Sequence, residues 1–380
     1  MRKVVAAAAM VIVTTARAVL ARETAAPVAY VVMDADSGTV LAEHDAHKRW
    51  PPASMAKMMT VLIAMERVRD GSLALDTPVR ASAWASRIGG SQVYLAEGET
   101  FPLGELLKAV MIASANDAAV AVAEHIAGST AAFVELMNAR AKALGLADTT
   151  YQSPHGLPPG KGQTADLTSA HDLAVLAREL MRLPEVMRWA GTASAGFRDD
   201  TLQMANTNHL LRTYAGATGL KTGYYREAGF SVTASATRND LSLIAVVLGL
   251  PTKQESFAEA ARILNESFAT YRVVAPARRG APVGQVPVAG GSEESVKAMA
   301  LGDLRVLVKR GEDKGVVVEA HIPRLVQAPV KLRQPLGDIV VRRGDQELGR
   351  VPVVADRDVP STGGWLSWLW NRGLSSATTR

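Results

Sequence analysis

Ser54 and Lys57 stand three residues apart in the run Pro52-Ala53-Ser54-Met55-Ala56-Lys57-Met58-Met59-Thr60. On a helix that spacing sets hydroxyl and amine on neighbouring turns, within mutual reach, so an uncharged amine can take the serine's proton. Lys57 is the only charged residue between Arg49 and Glu66, and desolvation lowers the pKa of such an amine. A serine at a helix start also has backbone N–H groups nearby, one of which can serve an oxyanion. The plain alternative is a capping serine beside a surface lysine. A second polar break, Ser114-Ala115-Asn116-Asp117, interrupts two runs rich in Ala and Val; taken alone, Asn116 or Asp117 need do no more than cap the next helix. The third group is Lys221-Thr222-Gly223, followed by Tyr224. There Gly admits a substrate close to the backbone, Lys and Thr can hold an anionic or polar group, and a strand edge can pair with an extended peptide.

These groups need elements to position them. Ala29 to Met33 and Thr39 to Leu41 read as strands about an Asp36-Ser37-Gly38 turn. Met55, Met58, Met59, Leu62 and Ile63 then fall at helical spacing, and Gly71 closes that segment. Helices are predicted from Leu103 to Ala113, Asp117 to Ile126, Thr130 to Leu144 and Ser169 to Leu183. After them the period shortens to strands, Gly219 to Tyr225, Gly229 to Thr237 and Leu241 to Leu250, and a last helix runs from Glu255 to Tyr271. Strands at both ends with helices between them predict one antiparallel sheet packed with helices, an α+β fold. From Val273 onward Val, Pro and Gly dominate, and hairpins are expected at Val306 to Val318 around Arg310-Gly311-Glu312-Asp313 and at Ile339 to Val354 around Arg343-Gly344-Asp345. The expected division is 27–272 for the catalytic domain, 273–358 for a small all-β domain and 359–380 for a tail.

In this order and spacing the three groups match the Ser-x-x-Lys, Ser-x-Asn and Lys-Thr-Gly set of the penicillin-recognising serine enzymes. The surrounding text, including Asp34-Ala35-Asp36-Ser37-Gly38-Thr39 and Pro154-His155-Gly156-Leu157-Pro158, resembles low-molecular-mass penicillin-binding proteins of the D-alanyl-D-alanine carboxypeptidase family. The resemblance covers residues 27–274, and the β domain and tail resemble that family's C-terminal arrangement. It implies a serine β-lactamase/transpeptidase-like fold, and a reaction in which Ser54 attacks the D-Ala-D-Ala peptide carbonyl, Lys57 acts as base and Ser114 relays the proton to the departing D-alanine. By the same resemblance Asn116 holds the substrate's backbone amide, and Lys221 and Thr222 face its carboxylate side, with Gly223 and Tyr224 also counted as substrate-binding. The N–H groups of Ser54 and Tyr224 then form the oxyanion hole. The implied partners are the peptidoglycan stem pentapeptide and β-lactams, which acylate the same serine and leave slowly.

Two positions depart from that pattern. Some relatives carry an Arg in the segment 206–211, where Thr207 stands here, so anion binding falls to Arg212, Arg226 or Arg238 or is weaker. Tyr224 stands where some relatives have His, which bears on pH behaviour and deacylation. Rival readings with the same residues are a D,D-endopeptidase, a serine β-lactamase, for which the segment 149–154 offers no Glu-x-x-Leu-Asn carboxylate, and a penicillin-binding cell-wall sensor that acylates without turnover.

Composition limits the rest. The chain has 380 residues, a formal net charge of +5 and no cysteine, which removes disulfides, thiolate catalysis and Cys-built zinc sites. No His-Glu-x-x-His or similar pair occurs, so neither metal nor cofactor is expected. A Ser-His-Asp triad using His155, His171 or His209 is disfavoured, because Ser54 already has a base and no Gly-x-Ser-x-Gly elbow exists. Arginines are dispersed without a basic stripe, so nucleic acid is not an expected partner. Arg2 and Lys3, the apolar run Val4 to Val13 and Ala16-Arg17-Ala18 read as a signal peptide within 1–26, cleaved after Ala18 or later, and an uncleaved anchor is the alternative. Trp365, Leu366, Trp368 and Leu369 would share one face of a C-terminal amphipathic helix, suited either to a headgroup layer or to docking on the protein's own core. The expected location is the periplasmic face of the cytoplasmic membrane, peripheral through that helix.

Overall fold

The computed structural model describes residues 26–362; the signal-peptide reading and the tryptophan-rich tail lie outside them. The chain opens with strands β1 (Ala29–Asp34) and β2 (Val40–His44). Asp34 closes their turn by accepting from the backbone N–H and the hydroxyl of Ser37. One turn of 3-10 helix (Ala53–Ala56) leads into α1 (Lys57–Arg69). Short strands β3 (Pro78–Arg80) and β4 (Thr100–Pro102) pair, then α2 (Leu103–Ile112), α3 (Asn116–Ala127) and α4 (Thr130–Ala143) follow. Next come α5 (Ala170–Met181), α6 (Pro184–Ala190), a hairpin of β5 (Ser194–Phe197) and β6 (Leu202–Ala205), and the single turn α7 (Leu210–Thr213). The sequence pattern predicts no element between residues 184 and 213. Its α6 begins at a proline, which ends the preceding helix and is tolerated in the first turn of the next.

Strands β7 (Ala217–Tyr225), β8 (Gly229–Arg238) and β9 (Leu241–Leu250) complete an antiparallel sheet of order β2-β1-β9-β8-β7, and α8 (Lys253–Thr270) crosses behind it. Both faces of this sheet are covered, which is why β9 reads as an unbroken apolar run. Its Ile244, Val246 and Leu248 face the helical core around α1, α2, α3 and α5, while Leu243, Ala245 and Val247 pack toward Ala260, Ile263 and Leu264 of α8. Thr252 caps α8 by accepting from Glu255 N–H, and its hydroxyl donates to the Glu255 carboxylate. The α+β reading therefore holds, with β2 and β7 at the two edges of the sheet.

The remaining strands are β10 (Tyr271–Ala277), β11 (Pro282–Ala289), β12 (Ser295–Ala300), β13 (Leu304–Lys309), β14 (Val316–His321), β15 (Val326–Gln327), β16 (Pro335–Arg343) and β17 (Gln346–Ala355). They bury a separate cluster that includes Val286, Ala298, Val341 and Val353. The expected hairpin at Ile339 to Val354 forms as β16 with β17. The one at Val306 to Val318 does not: β13 pairs with β10, whereas β14 pairs with β16. A 3-10 turn at Glu312–Gly315 separates the two strands, and burial of Val306 and Val308 in the shared cluster outweighs pairing with the neighbour in sequence. Val359 is buried and bonds to Val330, so any lipid-facing segment starts beyond it. Among the described residues no single helix is long and apolar enough to cross a membrane.

Candidate active site

Ser54 sits in the 3-10 turn ahead of α1, where Ala53 adopts a left-handed φ of 48°. Two close approaches hold that turn. A Cβ added to Gly156 would lie 1.9 Å from the Ala53 carbonyl oxygen, and one added to Gly223 would lie 2.3 Å from the Pro52 carbonyl oxygen. The loop carrying Gly156 and the edge strand β7 therefore both press backbone to backbone on the turn that carries Ser54, and only glycine permits it.

Lys57 is fully buried, its Nζ 3.0 Å from Ser54 Oγ, and it donates to the His155 carbonyl at 2.6 Å. Burial, reinforced by the like charge of Lys221, holds this amine well below the ordinary lysine range against the opposing pull of Asp166 and Asp117. An amine so placed is chemically able to take a proton from a neighbouring hydroxyl. Asp166, which the motifs do not point to, positions that arrangement. It accepts from Gln152 N–H at 2.6 Å, Ser153 N–H at 3.0 Å and Ser153 Oγ at 2.8 Å. Thr60 Oγ1 donates to the Pro154 carbonyl at 2.7 Å, so the residues just before His155 are held from two sides, by Asp166 and by Thr60. His155 itself is no base for Ser54: burial, then Lys57, pushes it down to about 3, and its Nδ1 accepts from Leu157 N–H at 3.1 Å.

Ser114 occupies the break between α2 and α3 with a left-handed φ of 61° and is buried. Lys221 Nζ donates to Ser114 Oγ at 2.8 Å and to the Thr222 carbonyl at 3.2 Å. Burial lowers Lys221 to about 7. Asn116 donates through Nδ2 to the Gly89 carbonyl at 2.8 Å, and its buried Oδ1 has no partner. Neither Asn116 nor Asp117 is the cap of α3, whose N-cap is Ala115. Asp117 instead accepts from the N–H groups of Val93 and Leu95, tying down the loop that borders the cleft.

Ser54, Ser114, Thr222, Gly223 and Tyr224 all line one cleft of about 250 Å³. Lys57, Lys221 and Asn116 are buried in its walls. Tyr224 is half exposed and stacks on Phe230 with ring centroids 3.9 Å apart. Thr207 also lines the cleft, where Thr222 Oγ1 donates to its hydroxyl at 2.8 Å.

The three arginines proposed for anion binding are all engaged away from this space. Arg212 donates to the Ala193 carbonyl, Arg226 pairs with Glu227 in solvent, and Arg238 lies over Tyr214 and Phe268 while donating to the Ala215 carbonyl. The charged side chain that does line the cleft is Lys253. No motif signals it, since it is a lone cation at a helix start.

Known proteins share both halves of this arrangement. Residues 14–252 match the family model for D-alanyl-D-alanine carboxypeptidase, and residues 271–361 match that for the C-terminal domain of penicillin-binding protein 5. The D-alanyl-D-alanine carboxypeptidase DacF of Bacillus subtilis is 36% identical over 88% of this chain and 86% of its own length. The D-alanyl-D-alanine carboxypeptidase DacC of Escherichia coli is 32% identical over 90% of this chain and 86% of its own. Among solved structures, penicillin-binding protein 5 of Haemophilus influenzae superposes with a TM-score of 0.68 at 29% identity, covering 88% of this chain and 98% of that one. The PBP3 of Streptococcus pneumoniae, described as a peptidoglycan synthesis regulatory factor, gives a TM-score of 0.74 at 26% identity over 88% of this chain and 99% of that one.

Proposed function

This chain belongs to the D-alanyl-D-alanine carboxypeptidase family, a penicillin-binding serine-type hydrolase of peptidoglycan peptides, and on that premise we propose how its own residues carry the reaction. Ser54 Oγ attacks the carbonyl between the two terminal D-alanines and Lys57 takes its proton. The N–H groups of Ser54 and Tyr224 receive the charge that develops on the carbonyl oxygen. Collapse of the tetrahedral intermediate breaks the C–N bond, and Ser114, linked to Lys221, hands a proton to the leaving nitrogen. Water then cleaves the Ser54 ester, with Lys57 again as base, and releases the shortened stem peptide. The unpartnered Asn116 Oδ1 is suited to accept the substrate's backbone amide, and the free edge of β7 to pair with its extended chain.

The observation that carries this reading is the contact of 3.0 Å between Ser54 Oγ and an amine whose pKa burial holds well below the ordinary lysine range. It is tested by D-alanine release from a diacyl-Lys-D-Ala-D-Ala tripeptide, with Ser54→Ala alongside. Release that vanishes in the variant supports it, and none from folded wild type rejects it.

The enzyme works outside the cytoplasm, as its substrate requires. We propose in addition that residues 1–26 carry the export signal, that 27–272 and 273–358 form the catalytic and β domains, and that the tail rests on the periplasmic face of the membrane through Trp365, Leu366, Trp368 and Leu369. Removing residues 365–380 then moves the protein to the soluble fraction. Unchanged membrane association rejects the anchor.

A further inference from the structure

The loop from Gly89 to Glu99 borders the cleft, which Ser91 lines. The same loop aims Asn116: the Gly89 carbonyl accepts from Asn116 Nδ2 at 2.8 Å, and the Ser91 carbonyl accepts from Asn116 N–H at 2.7 Å. These bonds decide which way the amide turns, and they leave its buried Oδ1 without a partner. No helix or strand runs between Arg87 and Thr100, so the backbone groups of the loop need partners from elsewhere. Asp117 accepts from Val93 and Leu95 N–H on one side. Arg198, at the turn of the β5–β6 hairpin, supplies the donors on the other. Its Nη1 donates to the Val93 carbonyl at 2.6 Å, its Nη2 to the Tyr94 carbonyl at 2.7 Å and its Nε to the Glu99 carboxylate at 2.9 Å. The guanidinium lies 5.3 Å and 5.4 Å from the ring centroids of Phe101 and Phe197. The bond from Arg198, opposed by burial and aided by Ala96 N–H, holds the Glu99 carboxyl below the ordinary range, so the pair stays charged. Arg198, Asp199 and Asp200 take left-handed φ values of 54°, 48° and 64°, and Tyr94 one of 58°. Such backbone is strained for residues other than glycine and persists where its surroundings over-determine it.

We infer that Arg198 is a positioning residue for substrate recognition: by clamping Val93, Tyr94 and Glu99 it holds the Gly89–Ser91 stretch so that Asn116 Oδ1 meets the substrate's backbone amide. The inference rests on the carboxypeptidase reading, and within it on the role of Asn116. The amide concerned is the N–H of the penultimate D-alanine, because the other nitrogen beside the reacting carbonyl belongs to the leaving group. A clamp that served stability alone would have no reason to distinguish substrates by that N–H.

The test compares D-alanine release from diacyl-Lys-D-Ala-D-Ala and from diacyl-Lys-D-lactoyl-D-Ala, in which an ester oxygen replaces that N–H. The full chain is assayed as wild type, Asn116→Ala, Arg198→Met, Arg198→Lys and Glu99→Gln, with Tm measured for each. Wild type should turn over the ester analogue with kcat/KM lower by roughly 10-fold, the scale of leaving one buried acceptor unpaired, and Asn116→Ala should lose that preference. Arg198→Met should fall by about 10-fold on the peptide but by less than about twofold on the analogue, where the contact it positions is already missing. A single ammonium cannot bridge two carbonyls and a carboxylate, and Glu99→Gln keeps only the carbonyl contacts, so Arg198→Lys and Glu99→Gln should show the same substrate-selective loss on a smaller scale. These two variants carry the test if Arg198→Met does not fold. Equal losses on both substrates overturn the inference, because the clamp then acts on the whole site and not through Asn116. So does an Arg198→Met enzyme within about twofold of wild type on the peptide. A wild type that treats the two substrates alike removes the role of Asn116, and the assignment of Arg198 falls with it. Wild type without release from either substrate removes the carboxypeptidase reading itself.

Discussion

Replacing Gly223 by alanine tests whether β7 really holds the turn that carries Ser54 by contact of backbone with backbone. An added Cβ would lie 2.3 Å from the Pro52 carbonyl oxygen, 3.2 Å from Ala53 Cβ and 3.3 Å from Met55 Cγ, where ordinary contact begins at 3.4 Å. The carbonyl cannot swing away as a side-chain tip could, so β7 and the turn must part by about 1 Å. That displacement falls on Ser54 and on the Tyr224 N–H together, and a misplacement of about 1 Å costs on the order of 100-fold in rate. The same overpacking should reduce stability by about 1–3 kcal/mol. The assay is the second-order rate of acylation by benzylpenicillin together with D-alanine release and a thermal melt. Gly315→Ala is the control, because there an added Cβ meets nothing nearer than Arg343 Cγ at 3.8 Å. A Gly223→Ala protein that acylates at the wild-type rate refutes the idea that this approach sets the geometry of the site.

Lys221 offers a stability test with a definite sign. Its folded pKa of about 7 lies below the unfolded lysine value, so the unfolded chain binds more protons between the two, and this residue's contribution to stability grows as pH rises from about 7 toward 10.4. Lys221→Met should therefore abolish turnover yet melt higher than wild type near pH 6, with the gap narrowing as pH rises. A gap that widens with pH contradicts the assigned shift. Asp166→Asn should loosen the loop presenting His155 and cut kcat by about 10-fold, the scale of losing one supporting hydrogen-bond set. Because the Asp166 charge raises the Lys57 pKa, its removal should move the acid limb of kcat/KM to lower pH; a limb that moves to higher pH would show that Asp166 does not act on Lys57 by charge.

The chemistry was legible in the chain because it is local. Ser54 with Lys57, Ser114 with Asn116, and Lys221 with Thr222 are each set by a spacing of one to three residues, and helix or strand geometry follows from such short periods. The burial of Lys57 could be read from the apolar residues around it. The unbroken apolar run of β9 marked a strand, and the sheet it joins covers that strand on both faces.

What tertiary structure alone decided is where groups distant in sequence converge. Asp166 meets Gln152 and Ser153 across a loop, Gly223 meets Pro52 from the far end of the domain, and Lys253 reaches the cleft only because α8 packs behind β8 and β9. The absence of the family's Arg at Thr207 pointed to Arg212, Arg226 and Arg238 instead, but the side of each strand and helix that faces the cleft depends on long-range register. For the same reason β13 and β14, neighbours in the chain, pair with β10 and β16. Local propensity names the elements and the reacting groups; burial of apolar area summed over the whole domain selects which of them stand together.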